Sequence, residues 1–211
     1  MVAHIRPDSS KLDEWRAHFT DLGAQIDTSP WTVEDMTQAL ARHQPHLVFS
    51  LIGTTRHRAT KEGIRATDAY EQVDYGLSRC LLDAVQQSGV SATFVYLSAL
   101  GVKADSSNPY MAVRGRFEAE LKETGLPHVI ARPAFITGPD RGESRPMERV
   151  GARLIDLALT PLGWVGMGKT RDRFASMDAA TLARALVRGA LSGDAVGKTL
   201  DPAALRELAR A

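Results

Sequence analysis

TFVYLSALGVKADSSNPYMAVR, residues 93–114, decides the reading of the fold. Its opening run, 93–97, is β-branched and aromatic, the composition of a buried strand, and it ends at Ser98 in a small-residue turn. Asn108-Pro109 is a helix-start signal, because a proline in the first turn gives up only an N–H that the helix leaves unpaired anyway. The spacing predicts a helix from Tyr110 to about residue 124, with Tyr110 and Arg114 one turn apart on one face. A serine at the C-terminal end of a parallel strand can face that pair at the edge where open α/β sheets take ligands. The chemistry this supports is proton transfer to or from a hydroxyl or carbonyl oxygen. A phenol with a pKa of about 10 is a poor acid or base at neutral pH unless a cation lowers it. Arg114 supplies that charge, and Ser98 would hold the substrate oxygen.

Outward from this stretch the chain alternates. Residues 2–5 read as a strand, and 9–22 as a helix with Ser9 or Ser10 as cap and an apolar stripe of Leu12, Trp15, Phe19 and Leu22. A short strand at 24–27, a helix capped by Thr32 and a buried-type strand at 46–52 follow, the last ending in Gly53-Thr54-Thr55. Residues 56–66 are a basic loop, and a long helix runs from 67 to 88, where Gly89 stops it. Beyond the central stretch, a strand at 128–131 leads into Arg132-Pro133-Ala134 and Gly138-Pro139-Asp140. Residues 141–147 read as loop, 148–159 as an amphipathic helix and 161–177 as irregular and glycine-rich. Asp178 caps a helix to about 191, and Asp201-Pro202 opens a last one. Strands and helices in this alternation give an α/β fold with a Rossmann-like, doubly wound parallel sheet, in a single domain whose residues 141–211 form the substrate side.

Composition narrows the function classes. The 211 residues are 44% hydrophobic and 24% charged, enough for one domain with a substantial core. A net charge near +1 gives no electrostatic case for nucleic acid or for an anionic membrane surface. The single Cys80 excludes an intrachain disulfide, and six scattered histidines without an HExxH pair exclude a recognisable metal site. No apolar run approaches the roughly 18 residues of a membrane span. The opening MVAHIRPDSSKLDEW lacks the apolar core of a secretory leader, so a cytoplasmic location is expected. The expected partner is a small-molecule substrate, and a homodimer through the long helices is left open.

The Ser98, Tyr110, Arg114 arrangement resembles the Ser…Tyr-x-x-x-Lys centre of the short-chain dehydrogenase/reductase family, with arginine where the family has lysine. More narrowly it is similar to the atypical NmrA-like and Tat-interacting-protein-like branch. The resemblance covers nearly the whole chain. Val73-Asp74-Tyr75 with Leu81-Leu82-Asp83-Ala84 looks like the family's central packing helix. Arg132-Pro133-Ala134 with Gly138-Pro139 resembles its RPxxxxGP turn, whose backbone lies beside the nicotinamide. The resemblance implies an NADP cofactor, with NAD as an alternative, in contact with Arg6 at the 2′-phosphate, with Gly53, Thr54 and Thr55, and with Arg132, Pro133 and Ala134. Residues 140–146 resemble the stretch that follows that turn.

The family's strand–GxxGxxG–helix unit, which binds pyrophosphate, does not occur; the chain opens where the family's second strand would. Either the recorded start lies downstream of the true one, or this is a diverged form with weakened dinucleotide binding. That missing strand is central in the family's order, so the sheet must close up or leave backbone groups unpaired. Gly163 to Thr170 formally matches GxxxxGK[ST], but a helix and Pro161 precede it where a nucleotide-binding loop needs a strand, so it reads as a substrate-side loop. Together these features predict an NADP(H)-dependent oxidoreductase acting on a small carbonyl or alcohol. The alternatives are a non-catalytic dinucleotide sensor and a truncated, cofactor-incompetent form.

Overall fold

A computed structural model describes residues 1–55, 59–60, 63–137 and 176–211. The expected helix at 148–159, the GxxxxGK[ST] match at 163–170 and the Gly138-Pro139 turn lie outside these residues. All pairings among the described strands are parallel where their register is resolved, as the β–α alternation requires. The packing divides into two compact units: residues 1–48 with 52–92, and residues 49–51 with 93–211.

In the first unit, β1 (Val2–His4) pairs with β2 (Gln25–Asp27), and α1 (Leu12–Asp21) connects them. The helix starts later than the expected Ser9 or Ser10 cap: Lys11 is the N-cap and makes no side-chain capping bond, while the Ser9 carbonyl closes a turn by accepting from the Leu12 amide at 3.1 Å. No residue of α1 is buried. Its apolar stripe instead gathers into a surface cluster in which Trp15, 40% exposed, stacks on Phe19 with ring centroids 5.8 Å apart. Thr32 does cap α2 (Val33–His43), accepting from the Asp35 amide at 3.1 Å. Asp27, at the end of β2, receives the Ser29 amide at 2.8 Å, Arg42 at 3.2 Å and His43 at 2.7 Å. Burial opposes its charge, but the Ser29 amide and His43 outweigh that and hold the carboxyl well below the usual carboxylate range.

The expected long helix is present but not uniform. A helical turn (Ala66–Ala69) passes into a π-helix (Tyr70–Leu77) and then into α3 (Ser78–Ser88), which Gly89 ends in the left-handed conformation at φ 69°. α3 buries Leu81, Leu82, Ala84 and Val85 and packs against α2.

In the second unit the strand order is β3 (Leu47–Ser50, entering through Phe49 and Ser50), β4 (Thr93–Leu97), β5 (His128–Ala131) and β8 (Lys198–Leu200). A separate short ladder joins β6 (Ile136–Thr137) to β7 (Met177–Asp178). α4 (Pro109–Glu123), α5 (Ala179–Leu191) and α6 (Pro202–Arg210) begin at Asn108, Asp178 and Asp201, each of which accepts a first-turn amide. Among the described residues, β1–β2 and β3–β4–β5–β8 form separate ladders.

The core of this unit is aromatic. Phe117 of α4 is fully buried against Tyr96, with centroids 4.5 Å apart, and Phe94, at 6.1 Å. Two residues before it, Gly115 lies against the loop that follows β4, and a Cβ there would stand 2.8 Å from the Ala104 Cα and closer still to the Lys103–Ala104 backbone. Neither neighbour is a flexible side chain, so α4 can approach this loop only with glycine at 115. Gly115→Ala is expected to destabilise the protein by about 1–3 kcal/mol, the range of overpacked cores. A urea midpoint equal to that of the unsubstituted protein would contradict this close approach.

Candidate functional site

The edge of the second unit is built by three chain segments. β4 ends at Leu97, yet backbone pairing continues past it: the Ser98 amide donates to the Ala131 carbonyl at 2.7 Å and the Leu100 amide to Pro133 at 2.9 Å. The strand-end turn Ser98–Leu100 is thereby fastened to the Arg132-Pro133-Ala134 turn. α4 supplies the third segment, with Tyr110, Arg114 and Glu118 at successive i+4 positions on one face.

Arg114 is 5% exposed and its Nη1 donates to the Leu97 carbonyl at 2.6 Å. Its Cζ lies 4.8 Å from the Tyr110 ring centroid and 5.9 Å from that of Tyr96. The guanidinium is thus held between two aromatic faces by a backbone acceptor, a desolvated cation–π arrangement. The expected pairing of Tyr110 with Arg114 is present in the structure. Arginine stays charged at any working pH, so this cation cannot itself pass a proton.

Ser98 does something other than expected. Its hydroxyl donates to Glu118 Oε1 at 2.5 Å, and it is buried. Glu118, 2% exposed, also takes Arg132 in a forked pair, from Nε at 2.9 Å to Oε1 and from Nη2 at 2.5 Å to Oε2. Glu118 therefore ties the end of β4, the end of β5 and α4 together. The sequence reading passed over it, although its place four residues after Arg114 was the available signal. Arg132, expected beside the cofactor, spends its fork on Glu118. Pro133 is buried and Ala134 half-buried beside it.

In the first unit, Arg6 follows β1 with its side chain 58% exposed and Asp8 at 3.8 Å. The Gly53-Thr54-Thr55 turn follows β3, and the Thr54 amide donates to Asp74 Oδ2 on the π-helix at 2.9 Å. That amide is committed within the protein, so Thr54 cannot use it for a phosphate. Taken by itself, the first unit offers the exposed Arg6 guanidinium, a donor of the kind a 2′-phosphate takes, and the second offers the Tyr110 phenol beside the buried Arg114 cation.

Breaking a buried, forked ion pair by removing one partner typically costs about 3–5 kcal/mol. Glu118→Ala is expected to lose stability on that order. Glu118→Gln keeps an acceptor for Ser98 but still leaves Arg132 without its counter-charge, so it should recover only part of that loss. A urea midpoint for Glu118→Ala equal to that of the unsubstituted protein would contradict the bridging role of the carboxylate.

The profile of the NAD(P)H-binding family matches residues 3–154, which takes in both units. A curated relative, "Protein fmp52-1, mitochondrial" of Aspergillus terreus, is 34% identical over 172 residues, 80% of this chain and 67% of its own length. The chain thus spans about two thirds of that relative. Its label, shared by others of the same name, overturns the cytoplasmic expectation. That expectation rested on the lack of an apolar leader, and mitochondrial transit segments are amphipathic and arginine-rich rather than apolar. Among solved structures, UDP-glucuronic acid 4-epimerase from Bacillus cereus, in complex with UDP-glucuronic acid and NAD, shares the fold. It gives a TM-score of 0.60 at 15% identity over 94% of this chain and 68% of its own. RMD from Pseudomonas aeruginosa, complexed with NADPH, gives 0.57 at 17% identity over 99% and 79%. The chain belongs to the NAD(P)H-binding family and has a Rossmann-like fold.

Proposed function

We propose that this protein is an NADP(H)-dependent oxidoreductase acting on a small carbonyl or alcohol, with Tyr110 as its acid/base residue. The observation that carries this reading is the buried Arg114 guanidinium, fixed by the Leu97 carbonyl and lying 4.8 Å from the Tyr110 ring centroid. A cation held there, out of water, favours the charged form of the phenol, as a group that must exchange a proton at neutral pH requires. When bound, the nicotinamide supplies or accepts the hydride. In reduction Tyr110 gives its proton to the carbonyl oxygen as the hydride arrives at carbon; in oxidation it takes the proton from the alcohol. Arg114 stabilises the tyrosinate left after reduction. Arg6 is the cation for the 2′-phosphate and the basis of an NADP preference over NAD. Gly53 and Thr55 flank the cofactor through the shape of their turn.

Ser98 takes a different role in this reading from the one its motif position suggests. Its hydroxyl donates its one hydrogen bond to Glu118, so toward substrate it has only lone pairs to offer, which suits an alcohol better than a carbonyl. The same observation favours a second reading, a dinucleotide sensor with little turnover, since fold alone does not imply catalysis.

Tyr110→Phe separates the two. In a screen of NADPH-dependent reduction of small aldehydes, ketones and quinones, the catalytic reading expects turnover to fall at least about a hundredfold, the lower range for a lost general acid. NADPH affinity should stay unchanged. Turnover that survives the substitution would remove Tyr110 from the mechanism.

A further inference from the structure

The first unit also holds a buried carboxylate on a helix, against the turn that follows β3. Asp74 is 1% exposed, and it sits within the π-helix rather than in ordinary α-helix. Full burial of a carboxylate is costly unless hydrogen bonds hold its charge. One of those bonds comes from the backbone amide of Thr54, twenty residues earlier, at 2.9 Å. A π-helix is a rare and strained form that concentrates at functional sites. Asp74 lies within this π-helix, and its Oδ2 meets the loop that leaves β3.

The far end of the same π-helix is fastened as well. The carbonyl of Leu77, its last residue, accepts Trp31 Nε1 at 3.1 Å. Trp31 lies in the loop after β2 and meets the His4 ring edge-on, with centroids 4.6 Å apart, while His4 Nε2 is 2.9 Å from the Ser29 carbonyl. Thus β1 through His4, β2 through Ser29 and Trp31, and the turn after β3 through Thr54 all connect to one eight-residue π-helix. In parallel α/β sheets the carboxyl ends of the strands are the ligand edge.

We propose that Asp74 is the positioning residue of the cofactor edge: it fixes the Gly53-Thr54-Thr55 turn by holding the Thr54 amide, and so sets the backbone shape the dinucleotide meets. It touches no ligand atom itself. The inference rests on the NADP(H) reading above. What Asp74 contributes is an acceptor oxygen at one place, so asparagine should substitute where alanine cannot.

The test compares wild type, Asp74→Asn and Asp74→Ala by NADPH titration and by hydrogen exchange at the Thr54 amide in the ligand-free protein. Expected is an NADPH Kd raised about tenfold or more in Asp74→Ala, the scale of one lost hydrogen bond to a charged group. In Asp74→Asn it should stay within about threefold of wild type. Thr54 exchange should speed up strongly in alanine and modestly in asparagine. If Asp74→Ala does not fold, wild type and Asp74→Asn still decide: a Thr54 amide that exchanges in both as fast as a solvent-exposed amide would overturn the pinning. An alanine variant that folds and binds NADPH as wild type does would overturn the positioning role. Wild type that binds neither NADPH nor NADH would bring down the cofactor reading and this role with it, whereas the Thr54 exchange rates report the pinning separately.

Discussion

The second unit depends on one carboxylate. Glu118 lies out of water, where an unpaired charge would cost several kcal/mol, and both of its oxygens are spent on partners from other segments. Its fork with Arg132 joins α4 to the end of β5, and its bond from Ser98 joins α4 to the end of β4. Parallel ladders stop at their last paired residue, so strand-end turns need some other tie to keep one shape. Here the Ser98 and Leu100 amides, bonded to Ala131 and Pro133, supply the backbone half of that tie. Glu118 supplies the other half. Tyr110 and Arg114 ride on the same helix face, so their placement over the turn follows from how Glu118 is held.

A similar economy recurs in the first unit, where Asp74 holds the turn after β3 by the Thr54 backbone amide. In both places a buried acid is satisfied by hydrogen bonds from a strand-end loop, and in both the loop is one where this fold takes ligand. Hydrophobic packing alone would leave these turns underdetermined, because apolar contacts are non-directional. A charged acceptor in a low-dielectric setting is directional and costly to leave unmade. The price is vulnerability: loss of either acid leaves buried donors without partners.

Much of this architecture was legible in the chain because local chemistry decides it. Thr32, Asn108, Asp178 and Asp201 each cap the helix expected of them, and β5 spans the residues its apolar run marks out. The pairing of Tyr110 with Arg114 follows from helical spacing alone. What could not be read depends on partners far away in sequence. Nothing local says that the Ser98 hydroxyl donates to Glu118, a residue twenty positions away that also takes Arg132. The π-helix inside the long helix is likewise a tertiary outcome, fixed by Thr54 and Trp31. The α1 stripe misled for the opposite reason: its periodicity suited a buried face, but Trp15, His18 and Phe19 pack on one another at the surface.

The most direct test of the account is an equilibrium titration of this chain with NADPH and with NADH, repeated on Arg6→Ala. The account predicts micromolar NADPH binding, about −8 kcal/mol, weaker NADH binding, and a loss of NADPH affinity in Arg6→Ala that leaves NADH unaffected. Equal affinities for the two dinucleotides, unchanged by Arg6→Ala, would contradict the assignment of NADP. No binding of either would contradict the oxidoreductase reading itself.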